Sequence, residues 1–256
     1  MCPHLNPLRL SVGNFAAEAE SAAPTWQAVS VRRLVAAAAV LIVAVTACDG
    51  GSSSSNEAPP EDRLAAAKES FDSAEYIGFT LATEQLPDGL EGLLSATGTG
   101  THSPAFTGEV KVQTTATDIS APLVAVDDRV YAEFPFVGWS TIDPADYGAP
   151  DPANLMDTDA GISSLFTATE EPEAGDESRD GDEVLTTIDG TLPGDAVRQV
   201  FPSAGTDDFT VSYRLTSDDD VVSAEIAGPF YDGRDDVTYT IQLDLEADEV
   251  DIQAPA

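Results

Sequence analysis

Few side chains in this 256-residue chain have the type and spacing to do chemistry. A nucleophilic hydrolase needs a Ser or Cys beside a His that an acid orients. After residue 50 the sequence offers one His, His102, flanked by Thr101 and Ser103 in a turn-like stretch. No Gly-x-Ser-x-Gly elbow occurs. His102 therefore reads as a surface loop residue, and no catalytic residue is expected. Carboxylates abound, but among 46 Asp+Glu residues chance pairs are inevitable and say nothing of two-carboxylate catalysis. Asp218-Asp219-Asp220 and Asp235-Asp236 carry the hard oxygens that calcium takes. Neither run has EF-hand spacing, and both read as solvated turns at strand ends. The expectation is no metal and no cofactor.

Cys48 has the most informative surroundings. Arg32-Arg33 precede an apolar run of 14 residues, Leu34 to Ala47. A spanning helix needs about 20 apolar residues, so this run is short. Positive charge followed by a short apolar stretch describes a secretory signal peptide. Val45-Thr46-Ala47-Cys48 closes the run and resembles a bacterial lipobox. That resemblance implies cleavage before Cys48 and acylation of its sulfur, making Cys48 the lipid attachment site. Residues 1–28 sit awkwardly upstream, with Glu18 and Glu20 where a basic segment is usual. We expect a doubtful leader over 1–28, with translation starting near Val29 or Val31, and a signal peptide over 29–47. Once Cys48 is the mature amino terminus, Cys2 is gone and no intramolecular disulfide can form.

Residues 48–58, rich in Gly and Ser, cannot bury apolar surface and read as a tether. Ten such residues reach roughly 17 Å as a random coil. The domain would thus stay near a bilayer, held there by its acyl anchor.

Composition narrows the function further. Eleven Lys+Arg against 46 Asp+Glu give a net charge of −35. Such a surface repels polyanions, so nucleic acid is excluded as a partner. It also favours solubility, and a monomer is expected. Apolar residues at 42% suffice for a core. Residues 59–256 read as one domain.

The elements follow from periodicity. Pro59-Pro60-Glu61-Asp62 opens a helix to about Ser73, with Leu64, Ala67, Phe71 and Ala74 on one face. Strand patterns come next: Phe79 and Leu81, then Val110 and Val112, each alternating with polar or small residues. Val124-Ala125-Val126 and Val130-Tyr131-Ala132 flank Asp127-Asp128 as a hairpin. The clearest alternation lies over 209–215, 222–226 and 237–245, with turns between, and predicts an antiparallel meander. Short helices are expected from Asp151-Pro152 through Met156, over Ile162, Leu165 and Phe166, and from Pro193 to Phe201 before Pro202. Residues 170–182 read as an acidic, mobile loop. The class is α+β: a curved antiparallel sheet with helices on its concave face, able to curl over an apolar cavity.

Several stretches resemble the LprG/LppX family of actinobacterial lipoproteins. They include Gly108-Glu109-Val110-Lys111-Val112, Trp139 followed by Asp143-Pro144-Ala145, Asp151-Pro152-Ala153 with Leu155-Met156, Asp159-Ala160-Gly161-Ile162 and Asp189-Gly190-Thr191-Leu192-Pro193. The resemblance covers most of 60–254 in an ordered series. It implies a half-open β-barrel with helices over an apolar cavity. It further implies binding of multi-acyl lipids or glycolipids, their carriage toward the cell envelope surface, and for some members work beside a major-facilitator membrane transporter. On this resemblance Val110 and Val112 border the cavity mouth. Alternation and resemblance together add Leu123, Val130, Phe134, Ile162, Leu165 and Phe166 as lining candidates. The other reading of the chain is a surface lipoprotein that carries nothing, or an accessory subunit of a transporter. A filled core would favour it; an extractable ligand would exclude it.

Overall fold

Alternation decides which residues face inward, and the computed structural model, which describes residues 58–255, follows it over most of its length. The expected leader and signal peptide, Cys48 and most of the expected tether lie outside the described residues. Eleven strands form one antiparallel sheet. They are β1 (Ile77–Ala82), β2 (Gly92–Thr101), β3 (Ala105–Gln113), β4 (Asp118–Val126), β5 (Arg129–Phe134), β6 (Gly138–Ile142), β7 (Glu170–Asp180), β8 (Glu183–Leu192), β9 (Phe209–Leu215), β10 (Val221–Gly228) and β11 (Val237–Asp244). Their order is β6-β5-β4-β3-β2-β1-β11-β10-β9-β8-β7. Each half is a meander, and the first and last strands join them, Phe79 facing Leu243 and Leu81 facing Ile241. In β11 every second residue is buried, and β1 and β9 follow the same rhythm. Strands β6 and β7 are the two free edges, so the barrel is half-open.

The bend of the sheet has local causes. Register shifts interrupt β2 at Leu93/Ser95 and β10 at Val221/Ser223, and such bulges increase twist. Gly98 faces Gly108 across β2 and β3. A Cβ on Gly98 would fall 2.1 Å from the Thr107 carbonyl oxygen, so the two backbones meet as only glycine permits.

Three helices cover the inner face: α1 (Pro60–Ser73), α2 (Ile162–Ala168) and α3 (Gly194–Val200). Proline starts α1, Glu61 and Asp62 occupy its first turn, and Leu64, Ala67 and Phe71 are buried. Arg63, also buried, donates to Asp219 and to the Thr216 carbonyl, tying α1 to the β9–β10 turn. Lys68 is paired with Asp72 and donates to the Thr158 carbonyl, and Ser163 donates to Asp72, which holds α2 against α1. Phe71, Phe166 and Tyr213 then stack edge to face, with centroids 6.1 and 5.4 Å apart.

Several expectations change. Residues 170–182 are not a loop: 170–180 form β7, an edge strand paired with β8 around a turn at Gly181 (φ 60°). Nearly all of its side chains face water and two register shifts break it, so no alternation marks it in sequence. The acids blunt an exposed edge against further pairing. The expected helix through Met156 is a single 3-10 turn, Asn154–Met156, and the Asp151 carboxylate accepts from the Ala153 N–H ahead of it. Ala74 follows α1 in extended backbone rather than ending its face.

Candidate functional site

The inner face of β1–β6 encloses a narrow apolar slit whose free volume is about 70 Å³. Pockets that bury small ligands run to about 300–1,000 Å³, so the slit is narrow as it stands and a ligand of that size enters only as its walls part. Strands β3, β4 and β5 supply one wall through Val110, Val112, Leu123 and Phe134. Phe79, Leu81 and Leu93 floor it from β1 and β2. The segment 144–155 lies across it, contributing Pro144, Tyr147, Pro150 and Leu155. No charged residue lines the slit. Val110, Val112, Ile119 and Phe134 are half-buried, as are Ile142 of β6 and Pro144, Tyr147 and Ala149 of the covering segment. The first four stand together toward the sheet end that carries the β3–β4 and β5–β6 turns, and the sheet wall is open there.

Of the eight expected lining residues, Val110, Val112, Leu123 and Phe134 come together here. Val130 lies deeper on β5, buried and paired with Ala125 and Ile142, below the void. Ile162, Leu165 and Phe166 belong to α2 and pack into the closed core beside Phe71 and Tyr213. They face inward, but a helix already fills the space in front of them. Sequence reading missed Leu93 and Ala96 of β2, because that strand, Gly-Leu-Leu-Ser-Ala-Thr-Gly-Thr-Gly-Thr, hardly alternates. It also missed the covering segment 144–155, whose prolines and short turns carry no period.

Beside the slit, toward β11, a chain of hydroxyls is bound to Leu93. The Leu93 N–H donates to Tyr231 Oη at 3.0 Å, Tyr231 and Tyr239 hydroxyls meet at 2.9 Å, and Tyr239 donates to the Leu93 carbonyl. These bonds satisfy the backbone of β2 where its register shifts. Burial pushes the Tyr239 hydroxyl well above the usual phenol range and raises that of Tyr231 too, so both stay neutral. Burial does the same to Tyr213, which shares a 3.1 Å hydrogen bond with Thr169.

His102 is not an idle loop residue. Its Nδ1 lies 2.6 Å from the Met156 carbonyl and its Nε2 3.0 Å from that of Phe71, with Phe71 edge-on at 5.7 Å. It pins the β2–β3 turn to α1 and to the 154–156 turn. Asp219 and Asp220 of the acidic run are taken by Arg63 and Ser70. Among the described residues no group of three or more His, Cys, Asp or Glu side chains is placed to hold a metal.

An open antiparallel half-barrel with helices and an apolar slit on its inner face defines the fold class. The chain belongs to the LppX_LprAFG lipoprotein family, whose model matches residues 59–253. Two solved structures share the fold. LprF from Mycobacterium bovis superposes with a TM-score of 0.64 at 14% identity, covering 77% of this chain and 97% of that one. The Mycobacterium tuberculosis lipoprotein LppX gives 0.54 at 16% identity, covering 75% and 98%. No curated protein matches the chain. Among the described residues no helix is long and apolar enough to cross a membrane.

Proposed function

We propose that this chain is a membrane-anchored, extracytoplasmic lipid carrier that takes multi-acyl lipids or glycolipids into the slit and moves them toward the envelope surface. The observation that carries this reading is the character of the slit: narrow, with no charged lining residue and half-exposed apolar residues at its mouth, so that acyl chains enter as its walls part. Binding there needs no catalytic group. Each methylene withdrawn from water contributes about 0.8 kcal/mol, so acyl chains bind through burial alone. The domain plan that goes with it is a signal peptide over 29–47, acylation at Cys48, a tether to residue 58 and a monomeric lipid-binding domain from 59 onward. Family resemblance supports a major-facilitator transporter as a membrane partner.

Val110→Trp tests the mouth. Val110 is half-buried on β3, so the larger ring has solvent to turn toward and the fold is expected to survive. Lipid loading, read by mass spectrometry after solvent extraction, is expected to fall several-fold. Unchanged loading in a folded variant would mean that lipid does not pass Val110.

A further inference from the structure

Two large apolar side chains are exposed among the described residues, and they are neighbours: Phe136, fully exposed, and Val137, 73% exposed. Both sit at the tip of the β5–β6 hairpin. The tip begins where the slit ends, since Phe134 lines the slit and Pro135-Phe136-Val137 follow it. Phe136 has φ 66°, left-handed backbone that a bulky side chain rarely adopts. The turn therefore holds its aromatic ring in water at a conformational cost, with no packing in return.

The surroundings indicate what covers it. Residues 134–142, Phe-Pro-Phe-Val-Gly-Trp-Ser-Thr-Ile, carry no charge in a chain that is 22% charged. Trp139 lies on the same hairpin, opposite Glu133, and indole rings favour the boundary between water and lipid. No Lys or Arg occurs between Arg129 and Arg179, and Lys111 of β3, at the same end of the sheet, is paired with Asp118 at 2.9 Å, so the tip offers anionic headgroups little attraction.

We infer that the β5–β6 hairpin tip is a lipid-surface contact that inserts Phe136 and Val137 into a neutral lipid layer and sets the slit mouth against it. The inference rests on the carrier reading and adds the step by which cargo enters: acyl chains pass from layer to slit along the Phe134–Phe136 face without crossing water. The chain as a whole carries a net charge of −35, so the rest of the surface stays clear of anionic lipid.

Trp139 is a built-in reporter. The full chain carrying Trp26→Phe is mixed with vesicles of phosphatidylcholine brominated in its acyl chains, and Trp139 emission is followed. Emission is expected to fall by half or more. The fall is expected to shrink at least fivefold in Phe136→Ser/Val137→Ser, and with vesicles of anionic lipid. Both substituted side chains are exposed, so the variant keeps the core. Unquenched Trp139, or equal quenching in the tip variant, would overturn the inference; a tip that docks on protein gives the first of these results. The two readings fail separately. Lipid retained after vesicle removal without quenching sinks the tip and leaves the carrier. Quenching that depends on the tip, with no lipid retained, sinks the carrier and leaves the tip as a membrane contact.

Discussion

The two halves of this sheet obey the same alternation and end differently. Over β8–β11 the inward residues meet helices and one another. Phe230 alone contacts Phe201, Phe209 and Tyr239 edge to face, with centroids 4.8–5.3 Å apart. Over β1–β6 the inward residues include Ala96, Ala121, Ala132, Val110 and Val112, and a proline-rich segment rather than a helix lies across them. Small side chains under a loop leave a slit of about 70 Å³; the aromatic cluster leaves only about 10 Å³. A period of two therefore reports which face is inward and is silent on whether that face is filled. In the carrier reading the empty half binds, and the filled half is the frame that keeps it open.

The difference can be broken from the filled side first. Phe230→Ala removes a ring wedged among three others and is expected to cost about 3–5 kcal/mol, read from urea unfolding. A loss under about 1 kcal/mol would mean the aromatic cluster is not the frame. The next contrast is a matched pair. Ala224→Phe on β10 overpacks the filled half and is expected to cost about 1–3 kcal/mol. Ala121→Phe on β4 places the same ring in the slit, where it is expected to leave stability nearly unchanged and to lower lipid loading several-fold. Equal destabilisation by the two would remove the distinction between the halves.

Alkaline pH probes the tyrosines beside the slit and beneath α2. Burial raises the folded pKa of Tyr213, Tyr231 and Tyr239 above the unfolded value of about 10. A raised folded pKa means that the folded state holds its proton more tightly. Their contribution to stability is complete below about pH 10 and falls as pH rises beyond it. The unfolding midpoint is expected to drop steeply above that pH, with phenolate absorbance at 295 nm appearing together with unfolding. Tyr213→Phe should soften the drop, and a pH-independent midpoint up to pH 11 would contradict it.

The smallest effect belongs to the segment over the slit. Burial raises the Asp151 pKa, against the Ala153 N–H that its carboxylate accepts and with help from the charge of Asp128. Stability from this site is therefore greatest below the unfolded value of about 3.9 and is lost as pH rises through the folded one. Asp151→Asn keeps an acceptor for Ala153 and removes the charge. Its melting temperature is expected to exceed that of the parent slightly at pH 7, with the gain gone near pH 3. A gain of the same size at both pH values would assign it to something other than charge burial.

How much of this was legible in the sequence depends on the residue types each region used. Helix α1 announced itself through Pro60, two acids and a clean apolar face. Strands β9 to β11 did so through Phe209, Val211, Tyr213 and their successors. The hairpin at Asp127-Asp128 was readable because both residues are turn formers, and both indeed take positive φ, 54° and 56°. Strand β7 was not, because an edge strand whose side chains mostly face water has no apolar residue to mark its period. Strand β2 hid behind Gly, Ser and Thr. Four of the eight expected lining residues meet in the slit, because alternation fixes direction. The α2 residues do not, because distance to the opposite wall is a tertiary fact. The loop tip at Phe136 was equally silent, since exposure of an apolar residue has no signature in its own sequence.

The central claim is that the slit holds lipid. Native mass spectrometry of the full chain, expressed in a host that acylates lipoproteins and makes long-chain lipids, then followed by solvent extraction, addresses it most directly. The carrier reading predicts a stoichiometric, extractable multi-acyl lipid beyond the covalent anchor, diminished in Ala121→Phe. A folded protein whose mass is that of the chain and its anchor alone, with nothing extracted, would contradict it.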